Sequence, residues 1–363
     1  MVTIPAKELE LFMMEVFLHS GASEKDAKTC AEVLITSDLR GIESHGIGRL
    51  KMYVDRIRNG SIDPKAQLKI IREGKTTAVV DGCHGIGMVI AHHCMQMAIQ
   101  KARDFGMGSV AVRNSSHFGI DGYYPLMAVN QGMIGISFTN ARPSVAPTFG
   151  AQPILGTNPI AFGAPTDEEF PFLFDAATSI IQRGKIEILD REEKNLENGY
   201  VINSLGQSLT DTQQILTSLL SENASLLPLG GEGENYGGHK GYGLSTIVEI
   251  LSSSLQSGAF LSGLAGIDKG RDEHYRVGHF FMAINIEDFV PLEVFKKNIG
   301  NLLRELRSIK LLPGMDRIYT AGEKEYFRER SLMEKGISIK DKLYQEIKSI
   351  KELLKINSLE MIH

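Results

Sequence analysis

Gly108-Ser109-Val110-Ala111-Val112, then Asn114-Ser115-Ser116-His117-Phe118-Gly119-Ile120-Asp121-Gly122, then a helical stretch from Tyr124 to Gln131, then Met133-Ile134-Gly135-Ile136-Ser137-Phe138: this passage decides the fold. Its two ends are short β-rich apolar runs, and its middle is a glycine-rich loop followed by a helix. Upstream, Thr76-Thr77-Ala78-Val79-Val80 reads as a strand and Met88 to Phe105 as a helix. Downstream, Ile160 to Gly163, Phe170 to Phe174 and Phe280 to Ile284 read as further short strands. Strands alternating with helices predict an α/β core.

The flanks are helical. Leu9, Phe12, Val16 and Phe17 recur at helical spacing near the N-terminus. Ser23 and Asp26 form a capping signal before a second helix, and a third is expected from about His45 to Arg58, stopped by Gly60. Residues 186–225 are polar and irregular in pattern, an excursion from the α/β core. Seven glycines lie in 230–243, ahead of a helix with an apolar stripe of Leu244, Ile247, Val248, Leu251 and Leu255. The expected division is a helical unit of residues 1–70 joined by 305–363, and an α/β domain of residues 71–304.

Bulk properties narrow the class. The chain has 363 residues and a net charge of −5, with no dense basic block before its C-terminal region, so nucleic acid is not an expected partner. Three cysteines without a Cys-x-x-Cys do not make a disulfide framework. No apolar run reaches membrane-spanning length, and Met1 to Glu8 lacks the pattern of a secretory signal. The expectation is a cytoplasmic protein outside the membrane.

Several constellations could carry chemistry. His117 sits at a strand end among small residues, and imidazole titrates near neutrality, which suits proton transfer. Asp121 could orient it, although an exposed turn aspartate is the commoner case. On a continuous helix, His45, Arg49 and Tyr53 would share one face, and arginine grips carboxylates through paired hydrogen bonds. Thr178 and Ser179, in Asp175-Ala176-Ala177-Thr178-Ser179, offer phosphate donors or a plain helix cap. Gly237-Gly238-His239-Lys240-Gly241 opens a helix and places an ammonium beside free backbone N–H groups, an anion site or a hinge. Gly156-Thr157-Asn158-Pro159 imposes a tight extended turn, with a structural loop as its plain reading.

Two motifs mislead. Gly82-Cys83-His84-Gly85-Ile86-Gly87 reverses the Rossmann glycine order and has no acidic residue about twenty positions on. His92-His93-Cys94 places adjacent helical residues in different directions, so no metal site is expected.

Taken in order, the motifs resemble the type-2 malate/L-lactate dehydrogenases, the sulfolactate dehydrogenase-like family. The carrying residues are Ser44-His45-Gly46 with Arg49, Ser116-His117-Phe118-Gly119, Gly156-Thr157-Asn158-Pro159, Asp175-x-Ala177-Thr178-Ser179, His239-Lys240-Gly241-Tyr242-Gly243 and Leu312-Pro313-Gly314. The resemblance runs from about residue 6 to about residue 330. It implies a non-Rossmann mixed sheet with helices on both faces, plus a helical domain from the terminal segments. It also implies NAD as cofactor, with NADP as the alternative, and a homodimer with its active site near the subunit interface. The implied reaction interconverts a 2-hydroxy acid and a 2-keto acid, malate and oxaloacetate first. Lactate, sulfolactate, ureidoglycolate and cyclic imines are the alternatives, and a dimeric nucleotide-binding protein without turnover is the non-enzymatic one. By the same resemblance, His117 is the proton-transfer group, with His45 as the second position for that role. Ser44, Arg49, Tyr53, Asn140 and Gly258 fall to the substrate, and Asp175, Ala176, Ala177, Thr178, Ser179, Lys240, Gly241, Pro313 and Gly314 to the cofactor.

Overall fold

The computed structural model describes residues 2–264, 266–268, 271–272 and 274–356. Three helices open the chain: α1 (Ala6–His19), α2 (Glu24–Leu39) and α3 (Leu50–Arg58). The Asp26 N–H donates to the Ser23 hydroxyl at 3.2 Å, the expected cap of α2. The Leu9, Phe12, Val16 and Phe17 stripe of α1 is fully buried against α2 and α3. Each such side chain contributes about 1.5–3 kcal/mol of burial.

A seven-stranded mixed sheet follows: β1 (Lys69–Glu73), β2 (Thr77–Asp81), β3 (Met107–Ser115), β4 (Met133–Thr139), β5 (Ile160–Ala164), β6 (Phe172–Ala176) and β7 (Val277–Asn285). Its spatial order is β1-β2-β3-β7-β4-β5-β6. Only β2 and β3 pair in parallel, and the crossover between them is α4 (Gly87–Phe105). Every other neighbour is antiparallel, including both flanks of β7, where Phe281 faces Val110 on one side and Ser137 on the other. The alternation of strands and helices in the sequence therefore holds one parallel unit, and β7 enters the centre from late in the chain. Together, α4 and α5 (Tyr123–Val129) cover one face, with Ala91, Cys94, Met95 and Ala98 packed on Val110, Val112 and Phe281.

Residues 183–226 build a separate lobe. It contains α6 (Arg183–Arg191), α7 (Thr212–Leu220) and the paired strands Val201–Asn203 and Ala224–Leu226. Its core also takes Val145, Leu155 and Ile181, so the expected excursion recruits residues from outside its own span.

Next come α8 (Gly238–Ser253) and α9 (Leu292–Ser308). The α8 stripe departs from expectation. Val248 is buried, but Leu244, Ile247 and Leu255 are 38%, 50% and 54% exposed. The inward face is Gly241, Ser245, Val248, Glu249 and Ser252 instead. Small residues let α8 approach the sheet closely, while its larger apolar side chains face outward.

After α10 (Glu323–Lys335), the strand Ile337–Ile339 pairs with Val2–Ile4, and α11 (Asp341–Leu354) joins the N-terminal helices through Tyr344, Ile347 and Ile350. The charged C-terminal segment thus buries one apolar face. Among the described residues, no helix is long and apolar enough to cross a membrane.

Candidate active site

The third helix starts later than its sequence pattern suggests. A 3-10 turn covers Ile47–Arg49, α3 begins at Leu50, and His45 lies in the preceding turn. A buried carboxylate shapes that turn: Asp38, on α2, accepts the Ile47 N–H at 2.7 Å. Gly46 passes so close to Asp38 that a Cβ there would lie 1.9 Å from its carboxylate oxygen. Only glycine fits. Burial pushes the Asp38 pKa up to about 8, against the bond from Ile47.

His117 is held between two anchors. On one side, the Ser116 hydroxyl donates to the Gly85 carbonyl at 2.9 Å and accepts the Gly87 N–H at 2.8 Å, fixing the end of β3 to the start of α4. On the other, Phe118 is buried and stacks on His279 at 4.5 Å. The imidazole between them is partly exposed, and its Nδ1 lies 2.6 Å from the Tyr53 hydroxyl. That hydroxyl also reaches the His117 carbonyl at 3.3 Å.

The His45 ring stacks on His117 with centroids 5.4 Å apart, and its Nδ1 meets the Ser44 hydroxyl at 2.9 Å. Arg49 donates through Nε to the Ser44 carbonyl at 2.6 Å. Among the described residues, no carboxylate pairs with its guanidinium. His45, Arg49, Tyr53 and His117 therefore converge although His45 is off the helix. The start of α6 reaches the same place, since a Cβ at Gly184 would come 3.0 Å from the Ser44 Cβ.

Electrostatics keep the histidines neutral. Burial, and then the charges of His45, Arg49, Arg56 and His279, hold His117 well below the usual imidazole range. Burial and Arg49 lower His45 to about 4. A free guanidinium beside neutral imidazoles can receive a carboxylate and move a proton.

Other expected site residues are placed differently. Tyr53 is fully buried with its hydroxyl on His117, so it faces the imidazole rather than open space. Asp121 is not the histidine's partner: it is buried and accepts from the Ser137 hydroxyl. Asn140 is 1% exposed. Its Oδ1 accepts the Gly278 N–H at 2.8 Å, and its Nδ2 lies within 3.5 Å of Glu249, Ser252 and the Ala259 carbonyl. Asn140 thus pins the end of β4 to β7, to α8 and to the loop that carries Gly258. Asn158 forms a companion knot, donating to Glu249 at 2.9 Å and accepting the Ala141 N–H.

The expected cofactor residues split into two kinds. The hydroxyls of Thr178 and Ser179 donate to the carbonyls of Asn158 and Ile181, so they shape the chain and are not free donors. The Asp175 carboxylate accepts the Gly122 N–H at 2.7 Å. Lys240 is exposed in the first turn of α8, and Gly241 packs so tightly that a Cβ would lie 2.1 Å from the Leu229 carbonyl oxygen. Pro313 and Gly314 lie in the exposed segment between α9 and α10. That segment is tied down by the buried Glu323, which pairs with Arg307 and Arg317, and the Ala321 carbonyl accepts the Leu173 N–H of β6. The tie brings the segment to the edge strand that carries Asp175.

Sequence reasoning missed His279 and Glu249, and read Asn158 only as part of a tight turn. His279 is fully buried between the Ser115 and Thr139 hydroxyls, each at 2.8 Å, and burial lowers its pKa to about 3. One lone histidine inside an apolar run was its only signal.

Residues 4–348 match the malate/L-lactate dehydrogenase family model. The chain belongs to this family. It is an oxidoreductase acting on a CH–OH group. It is 46% identical to the malate dehydrogenase of Pyrococcus abyssi, over 99% of this chain and 97% of that protein. It is 38% identical to the L-sulfolactate dehydrogenase of Methanocaldococcus jannaschii, over 98% of each. The crystal structure of malate dehydrogenase from Entamoeba histolytica superposes with a TM-score of 0.95 at 45% identity, covering 99% of both chains. Family membership and fold agree with the mixed, non-Rossmann sheet expected from the motifs.

Proposed function

We propose that this member oxidises malate to oxaloacetate, and catalyses the reverse reaction, with NAD as cofactor. The observation that carries the reading is the Tyr53–His117 contact beside the Arg49 guanidinium, which meets no carboxylate among the described residues. Arg49 receives the C1 carboxylate through its terminal nitrogens, aided by Ser44. The ring is held at Nδ1, which lies 2.6 Å from the Tyr53 hydroxyl and 3.3 Å from the Gly119 N–H. This leaves Nε2 to accept the proton of the substrate hydroxyl. Tyr53 is thereby a positioning residue, and His45 supports the imidazole by stacking. The low His117 pKa favours the base form at neutral pH. In the reverse direction, a bound anion offsets the nearby cationic charges and raises the basicity of Nε2, so His117 carries the proton to the keto oxygen.

A bound nicotinamide would supply the acceptor, or in reverse the donor, of the hydride at C2. Lys240 and the glycine-bounded first turn of α8 fit its pyrophosphate: a lysine and helix-terminal N–H groups are the donors an anion of that kind needs. Asp175, Ala176 and Ala177, with Pro313 and Gly314, line the neighbouring edge. Asn140 and Gly258 set the floor from behind rather than donating to substrate.

The outward apolar stripe of α8, with Leu244, Ile247, Ile250 and Leu255, supports a homodimer in which this face meets a second copy. Three free cysteines support a cytoplasmic setting. The test is NADH and NADPH oxidation across oxaloacetate, pyruvate, sulfopyruvate and cyclic imines. Fastest turnover of oxaloacetate with NADH is expected. No turnover of any 2-keto acid with either cofactor would sink the proposal.

A further inference from the structure

Arg49, in the turn that leads into α3, and Tyr53 and Arg56 within α3 follow one another at spacings of four and three, so they line one side of this element. Tyr53 holds His117, and Arg49 belongs to the proposed C1 carboxylate clamp. Arg56 has no role in either. Its guanidinium lies 4.1 Å from the centroid of the Tyr275 ring, a cation–π platform that orients the group without neutralising it. The platform is itself confined, because a Cβ at Gly266 would come within 2.5 Å of Tyr275. The His274 ring, held at 2.9 Å from the Ser61 carbonyl, fixes the segment that carries Tyr275. Among the described residues, no carboxylate pairs with Arg56. A second cation adds to it: Arg142 lies within electrostatic reach of Arg56, and Arg56 within reach of His117. Arg142 directly follows the Asn140-Ala141 knot, so its backbone is rigidly set.

A partly buried guanidinium, oriented by an aromatic ring, beside a second arginine and without an anion, is unfavourable unless an anionic group completes it. We infer that Arg56, assisted by Arg142, is a second anion clamp that selects 2-hydroxy acids bearing a second anionic group, a carboxylate or a sulfonate, at the end away from C1. Arg49 and Arg56 are seven residues apart, about 10 Å of helical rise, a gap that two long side chains can close around a short diacid. This inference rests on the proposed 2-hydroxy acid reaction and sharpens it. It explains how the same fold discriminates malate from lactate.

The test compares wild type, Arg56→Gln, Arg56→Lys and Arg142→Gln on malate and lactate, with calorimetric binding of malate to the enzyme loaded with NAD. A hydrogen-bonded charge is worth about 1.5–3 kcal/mol, on the order of 10- to 100-fold in affinity. Arg56→Gln is expected to cut the malate-to-lactate ratio of kcat/KM by that factor, mainly through KM. Arg56→Lys should recover part of it, and Arg142→Gln should show a smaller fall. A proportional loss on both substrates, with a lowered melting temperature, would overturn the clamp and leave Arg56 a structural residue. Should wild type turn over neither substrate, the proposed reaction fails, and calorimetry still decides: weaker malate binding in Arg56→Gln supports the clamp, equal binding refutes it.

Discussion

Two polar clusters lie close together and follow opposite rules. In the Asn140–Asn158–Glu249 knot, side-chain groups are matched inside the protein, with Glu249 accepting from Asn140, Asn158 and the Leu261 N–H. Around His117, the arginine forks meet no carboxylate among the described residues, and an imidazole remains partly exposed. Both clusters come from motifs that look alike on paper: short, polar and glycine-flanked. The difference teaches that a polar motif marks chemistry only where its hydrogen-bonding capacity is left over after folding. A satisfied knot holds the sheet, α8 and the loop around Gly258 in register, and the proposed function places the substrate on the groups left over.

Substitutions can break this contrast. The largest effect is expected at His117, where alanine should lower kcat by about 10²–10⁴-fold, the range for loss of a general acid/base, with little change in melting temperature. His45→Ala should cost much less. Steady-state rates on both variants check the assignment, and a near-normal His117→Ala beside an inactive His45→Ala would reverse it.

Asn158→Ala should act the other way. It strands buried groups on Glu249 and Ala141, costs about 1–3 kcal/mol of stability, and lowers the melting temperature while KM in the surviving folded enzyme changes little. A selective kinetic defect with unchanged melting would remove the contrast.

A third expectation is a pH dependence at Asp38. Its folded pKa of about 8 lies above the ordinary carboxylate value of 3.8, so the folded state holds a proton that the unfolded chain releases. Stability is therefore fullest below about pH 4 as far as this group is concerned, and declines as pH rises from 4 to 8. Asp38→Asn should flatten that slope while keeping a group of the same shape beside Ile47. Denaturant melts from pH 5 to 9 on both proteins measure it, and parallel slopes would count against the buried proton.

Much of the fold was legible because it rests on periodicity. The α1 stripe, the Ser23 cap and the strands before and after His117 are local patterns, and the structure keeps them. The α8 stripe was misleading because the helix buries glycine and serine against the sheet, and amphipathicity alone cannot tell a core from an open face. The site was legible as a set of residue types, but not as contacts. Spacing aligned Tyr53 with Arg49, and the resemblance gave it to the substrate; that its hydroxyl meets His117 depends on how α3 packs against the end of β3. His279 and Glu249 carried no motif, since their side-chain partners lie more than ninety residues away in sequence.

The central strand has a consequence for how the chain assembles. Residues 277–285 pair on both sides with strands made more than a hundred residues earlier, Val277 with Ser115 and His279 with Thr139. During synthesis, β1-β2-β3 and β4-β5-β6 therefore emerge as two half-sheets, each with an open inner edge. They remain unjoined until the ribosome has released residue 285. Such long-range closure is slow, and an unpaired edge is a template for pairing with other chains. The interval between the second half-sheet and its keystone strand is when a nascent copy is most exposed to wrong association.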